Sequence, residues 1–254
     1  MAEPQRILDI PEIDGPLGTA LRPGWLAVLL GSSGSGAPLL AKQFANAGVG
    51  STPVLFYTTY ERTDDVHRAF EDFGWDSADV KVVNLADEYY ERVLVRGLEV
   101  ARVRERGLSL EDLRSVELPA RSRPTFSLTD RMLADLAGMD APFRLVVDSV
   151  DFFFEVLDAR DVTKVARQIR HRCQTIGGQA LVSVHSTPHD RDVANRLEDL
   201  ADIVISLVAE PDGDRFRHTL RVEKVGNRAD LTRIWGAHLE EHGWRVGPPE
   251  APAG

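Results

Sequence analysis

Trp25-Leu-Ala-Val-Leu-Leu-Gly31 is an apolar run that stops at a glycine. Ser32-Ser-Gly-Ser-Gly36 follows, and then a helix-compatible stretch opens at Pro38. Strand, glycine/serine loop and helix in that order form an anion cradle, because backbone N–H groups and a helix N-terminus converge on one point. The complete phosphate-loop pattern is G-x-x-x-x-G-K-[ST]. Gly31 and Gly36 keep its spacing, whereas Ala37 stands where the pattern has Lys and Pro38 where it has Ser or Thr. The missing Lys is the cation for terminal phosphates and the missing hydroxyl is a Mg2+ ligand. Each such charged hydrogen bond contributes about 1.5–3 kcal/mol net. Two readings stay open at this point: a phosphate cradle without its chemical groups, or a plain turn between a buried strand and a helix.

The rest of the chain repeats the strand-then-helix order. Strands are expected at Trp25–Leu30, Val54–Tyr60, Val80–Leu85, Arg144–Asp148, Ala180–Val184 and Ile203–Val208. Helices are expected from Pro38 to Ala47, from Thr63 to Gly74, over Leu128–Ala137, over residues 160–176 and, briefly, over Leu197–Ala201. Most strands are apolar throughout, which implies a mostly parallel sheet covered by helices on both faces. Asp212-Gly213 marks a hairpin before Thr219–Val225, and His238–Val246 reads as an edge hairpin, so an antiparallel C-terminal edge is expected. Residues 15–24 read as a loop by their Gly and Pro content. Residues 1–247 form one expected domain, with a helical insertion at about 88–140 and a disordered tail at 248–254. In such sheets ligands bind beyond the carboxyl ends of the strands, which gathers the Gly31–Pro38 loop, Glu61, Asp148 and His185 at one edge.

Composition removes several classes. No apolar run approaches the about 20 residues of a membrane helix, and the first residues lack a signal-peptide core. The single cysteine, Cys173, excludes a disulfide framework. These features point to a cytoplasmic protein with no membrane partner. A net charge of −10 argues against nucleic acid as the partner. Arg92, Arg96, Arg102, Arg104 and Arg106 form a basic helical face, either solvated among its acids or used for docking. His185 and His189 have i, i+4 spacing, but Pro188 between them speaks against a helical metal pair.

In order and spacing, these pieces resemble the KaiC/RadA branch of the RecA superfamily. The resemblance rests on the Gly31–Gly36 loop, on Tyr57-Thr-Thr-Tyr-Glu61 leading to Phe73-Gly74-Trp75-Asp76, and on Leu145-Val-Val-Asp148-Ser149. It continues through Leu181-Val-Ser-Val-His185, Leu200-Ala-Asp202-Ile-Val and Leu220-Arg-Val-Glu-Lys224. It implies a RecA-like P-loop fold and ATP or ADP with Mg2+ as cofactor. The nucleotide would lie on Gly31, Ser32, Ser33, Gly34, Ser35, Gly36, Ala37 and Pro38. Glu61 would activate the attacking water, Asp148 would hold Mg2+ through water, and Ser149 and His185 would be sensors. Lys224, with Arg228 from a shifted position, would contact a neighbouring subunit's nucleotide. The resemblance therefore implies self-association or a related KaiC-like subunit as partner. Departures at Ala37, Pro38, Arg62 (where the group usually has a second Glu) and Gly226 (where it usually has Arg) favour a regulatory or assembly module with little or no hydrolysis. An active Mg-dependent ATPase with a rearranged site is the alternative. Lys42 reads as a poor replacement cation, lying more than a helical turn beyond Ala37 and so away from the loop.

Overall fold

A computed structural model gives the fold for residues 5–32, 34–92, 128–185 and 191–249. Nine strands form one sheet. In chain order they are β1 (Trp25–Gly31), β2 (Val54–Thr58), β3 (Val80–Asn84), β4 (Arg144–Asp148), β5 (Gln179–His185), β6 (Ile203–Asp212), β7 (Arg215–Val225), β8 (Arg233–Glu240) and β9 (Gly243–Pro249). Their spatial order is β3-β2-β4-β5-β1-β6-β7-β8-β9. The first six are parallel to their neighbours and the last three continue the sheet antiparallel from β6. Parallel strands with both faces covered read as unbroken apolar runs, and β1, β2, β4 and β5 are buried almost end to end.

The helices are α1 (Pro11–Ala20), α2 (Ala37–Asn46), α3 (Thr63–Asp72), α4 (Leu128–Ala137), α5 (Asp151–Val156), α6 (Ala159–Ile176) and α7 (Arg191–Leu200); residues 85–92 are also helical. Two cores result, one on each sheet face. Phe44, Phe56, Phe70 and Trp244 belong to the first, with Leu26, Leu145, Val182 and Ile169 in the second. Among the described residues no helix is long and apolar enough to cross a membrane.

Three expectations change. Residues 11–20 are a helix, although Gly15, Pro16 and Gly18 suggested a loop. Burial of Ile13 and Leu17 decides it, and the Asp14 carboxylate, accepting from the Leu8 N–H at 2.8 Å, ties the helix to its lead-in. β2 ends at Thr58 rather than Tyr60, leaving Tyr60 and Glu61 in a turn. β9 runs to Pro249, paired with Trp235, two residues into the expected tail. Most of the 88–140 insertion, the arginines 96–106 and His189 lie outside the described residues.

The motifs that carried the resemblance do structural work. Asp202 accepts from the Leu26 N–H at 3.0 Å and from the Arg170 guanidinium, while its own N–H donates to Leu26 O at 2.8 Å. It thereby fixes β6 beside β1. Trp75 stacks on Phe73 with centroids 5.2 Å apart and donates to His242 O at 3.3 Å, joining the end of α3 to the β8–β9 turn.

Candidate functional site at the carboxyl edge of the sheet

The parallel register puts Gly31 beside His185 and Thr58 beside Asp148, so the expected site residues do share one edge. The loop after β1 keeps the arch of a phosphate cradle. Gly34 and Gly36 have positive φ, and a Cβ on Gly31 would lie 2.3 Å from that of Ala37, so the ends of the arch nearly touch. Trp244 pins the far end, its indole N–H donating to Gly36 O at 3.2 Å while Gln43 accepts from the Trp244 N–H. Inside the loop, the Ser35 N–H donates to Ser32 O at 3.0 Å and the Ala37 N–H to Ser35 Oγ at 3.3 Å. Pro38 has no N–H to offer.

Beside the loop sits a cluster of charges already paired within the chain. The Lys42 ammonium bonds Glu61 Oε1 at 2.8 Å, and the lysine side chain is only 4% exposed. The ammonium is thus spent on Glu61, a partner that axial rise along α2 did not suggest. A helical side chain leans toward the helix N-terminus, and the ammonium ends 5.9 Å from the centre of the Phe56 ring on β2. Glu61 is further set by the turn, its N–H donating to Thr58 Oγ1 at 3.0 Å.

Asp148, at the end of β4, is buried, and each of its carboxylate oxygens accepts a hydroxyl. Tyr60 OH donates to Oδ2 at 2.9 Å and Ser183 Oγ–H donates to Oδ1. Burial raises its pKa; the Ser183 hydrogen bond, the nearby Lys42 charge and the Tyr60 hydrogen bond work against that rise. Tyr60 is raised in turn, chiefly by burial around its hydroxyl and then by Asp148 and Glu61, although the residue as a whole is half-exposed. Ser149 is buried, its N–H donating to Thr59 Oγ1, whose hydroxyl donates back to Ser149 O.

His185 meets Asp151 of α5. The imidazole Nδ1 lies 3.2 Å from Asp151 Oδ2, the His185 N–H donates to the same oxygen at 2.9 Å, and the Tyr60 ring packs edge-on at 5.6 Å. The hydrogen bond to Asp151 raises the imidazole pKa. For Asp151, burial alone would raise the carboxyl, but hydrogen bonds from His185 and Ser149 outweigh it and hold it low. A raised His contributes stability present below its ordinary value and lost as pH rises through the folded value; a lowered Asp contributes stability lost as pH falls. The pair therefore helps most between about pH 4 and 6.5. Relative to His185→Gln, the unaltered chain should gain about 1 kcal/mol or less, after solvent screening, as pH falls from 8 to 5.5. Urea denaturation at the two pH values measures it, and a pH-independent difference would refute it.

The remaining expected site residues lie elsewhere. The Lys224 ammonium caps α7, donating to Glu198 O at 2.8 Å and Asp199 O at 2.9 Å, and Arg228 forks onto Asp230. Either would have to leave these partners to reach a neighbouring subunit. Ser33 lies outside the described residues. Sequence reasoning set Lys42 aside and missed Tyr60, Ser183 and Asp151 as site residues; the adjacency of Tyr60 to Glu61 and the place of Asp151 three residues after Asp148 were the available signal.

A strand–loop–helix cradle, carboxylates at neighbouring strand ends and an antiparallel C-terminal extension define a RecA-like α/β fold. The sequence model of one family, ATPase: KaiC, matches residues 9–251, nearly the whole chain, so the chain belongs to the KaiC ATPase family. A search of the curated proteins gives no match.

Proposed function

We propose that this chain is a KaiC-like regulatory or assembly module whose nucleotide site has lost, or nearly lost, hydrolysis. The observation that carries the reading is the pairing of Glu61 with Lys42: the carboxylate that would activate water is held by an ammonium of its own chain. The donor set also does not fit Mg-ATP. Ala37 brings no cation to a γ-phosphate, Pro38 brings no hydroxyl to Mg2+, and both oxygens of Asp148 already accept hydroxyls from Tyr60 and Ser183. Phosphoryl transfer depends almost wholly on positioned charge, so a site with these groups neutralised retains at most a weak hold on nucleotide. Such a module would act by associating with a second copy or a related KaiC-like subunit in the cytoplasm. Phe216 and Leu239, both exposed, support this: continuing the β7–β8 register sets them opposite each other on the antiparallel extension.

The test is phosphate release, read together with calorimetric titration of ATP and ADP with and without Mg2+, and light scattering. The unaltered chain should hydrolyse ATP at background. Installing Ala37→Lys with Pro38→Thr should tighten Mg-ATP binding by about 2–4 kcal/mol, two restored charged hydrogen bonds less some strain. Mg-dependent turnover by the unaltered chain, abolished by Glu61→Gln, would instead establish the active-ATPase alternative.

A further inference from the structure

Two carboxylates meet around Tyr60 at the strand ends: Asp148 accepts the Tyr60 hydroxyl at 2.9 Å, and Glu61, the next residue in the chain, is held by Lys42 at 2.8 Å. Such a pair is costly without a cation between its members. In a site built on oxygen donors that cation would be a divalent metal ion. This chain supplies a different one. Lys42, on α2, places a buried ammonium 2.8 Å from Glu61 and 5.9 Å from the centre of the Phe56 ring, and its charge opposes the rise that burial imposes on the Asp148 pKa. A buried ammonium is stable only when paired, and the carboxylates are stable only with a cation, so each requirement meets the other.

We infer that Lys42 is the resident cation of this site, an ammonium fixed to the chain in the role a divalent metal ion would otherwise fill between Glu61 and Asp148, so that the folded chain excludes such an ion. This rests on the reading of the site as one that does not use Mg-ATP, and it adds the agent responsible. Asp148 accepts one hydroxyl at each oxygen, from Tyr60 and Ser183, which leaves carboxylate lone pairs for an ion once the ammonium is gone. The consequence is specific: removing the ammonium should create a metal site rather than merely destroy a structural contact.

Mn2+ serves as the probe, because it takes carboxylate and water oxygens and its free form is counted by electron paramagnetic resonance. In the absence of nucleotide, the unaltered chain should leave added Mn2+ free, and its midpoint of thermal unfolding should not respond to the ion. Lys42→Ala should bind one Mn2+ at least about tenfold more tightly than the unaltered chain, the equivalent of one charged hydrogen bond. Its thermal midpoint should rise with Mn2+, and both gains should vanish in Lys42→Ala/Glu61→Gln. Lys42→Met, which keeps the apolar stem, is the second variant: if the alanine chain does not fold, Mn2+ should promote refolding of the methionine chain. Mn2+ binding by the unaltered chain that Glu61→Gln removes would overturn the inference. Indifference of both Lys42 variants to Mn2+ up to pH 9, folded or not, would overturn it too. Neither Lys42 result depends on hydrolysis, so a failure here is distinguishable from Mg-dependent turnover, which would refute the functional reading itself.

Discussion

Replacing Arg144 by Met should lower the free energy of unfolding by about 3–5 kcal/mol, the loss expected when two or more buried acceptors are left without donors. Arg144 opens β4 at the end of the sheet opposite the candidate site, and its guanidinium is buried deeply enough to push its pKa down to about 9. The four N–H groups of its two terminal nitrogens have acceptors, while the buried Nε has none. One nitrogen donates to Ile7 O and Phe44 O, the other to Arg6 O and the Gln179 side-chain oxygen. The plane also lies over the Phe44 ring, 4.5 Å from its centre. Phe44 O is one of the last carbonyls of α2, which have no partner within the helix. Arg144 thus joins the segment that precedes α1, the end of α2 and the start of β5 in one contact. Met matches the stem but leaves these oxygens short of donors, each costing about 1–3 kcal/mol if water cannot reach it. Arg217→Met is the control: Arg217 is exposed and pairs loosely with Glu210, so the change should fall within about 0.5 kcal/mol. Urea denaturation of the three chains decides the matter; equal midpoints for the Arg144 and Arg217 variants would refute it.

Arg144 also marks the limit of what the sequence revealed. Its place at the head of a buried strand was readable, since Leu145–Val147 follow it as an apolar run. Its four acceptors were not, because they come from segments joined only by the fold. The sheet was legible for the opposite reason: burial on two faces writes itself into consecutive residues, and β1, β2, β4 and β5 needed no distant partner to be recognised. Helix α1 was hidden because glycine and proline are local signals, while the burial of Ile13 and Leu17 is a tertiary one. At Gly18 the two coincide, since a Cβ there would lie 2.4 Å from Gln5 O, so this glycine serves close packing rather than a turn.

The candidate site divides in the same way. Spacing brought Gly31, Glu61, Asp148 and His185 to one edge, because strand ends are fixed by topology. Which charges meet there depends on side-chain direction. Judging Lys42 by axial rise followed its Cα away from the loop and left out the side chain, whose ammonium reaches Glu61 in the turn after β2. Asp202 and Trp75 carry a related lesson. They made the resemblance specific, yet their hydrogen bonds go to β1, Arg170 and the C-terminal hairpin, so they identify the scaffold and leave the chemistry to other residues.

Glu61→Gln tests that chemistry by the sign of a stability change. Where a glutamate waits for a substrate water, its charge is an unpaired strain on the folded state, and neutralising it leaves stability unchanged or raises it. Here Glu61 is the partner of a buried ammonium, so glutamine should cost about 2–4 kcal/mol. That lies about 1 kcal/mol below the range of about 3–5 kcal/mol for breaking a fully buried pair, because the Glu61 side chain is 23% exposed and water can partly replace it. Glutamine keeps the length and one acceptor oxygen, so the loss reports charge rather than packing. A cycle with Lys42→Met isolates the pair: once the ammonium is gone, Glu61→Gln should cost little, and the coupling between the two positions should come to about 1.5–3 kcal/mol. Removing Glu61 in that background even relieves its repulsion of Asp148, so the second step could turn favourable. Urea midpoints of the four chains give the answer directly. A Glu61→Gln chain as stable as its parent, with no coupling to Lys42, would return Glu61 to the role of an idle catalytic base.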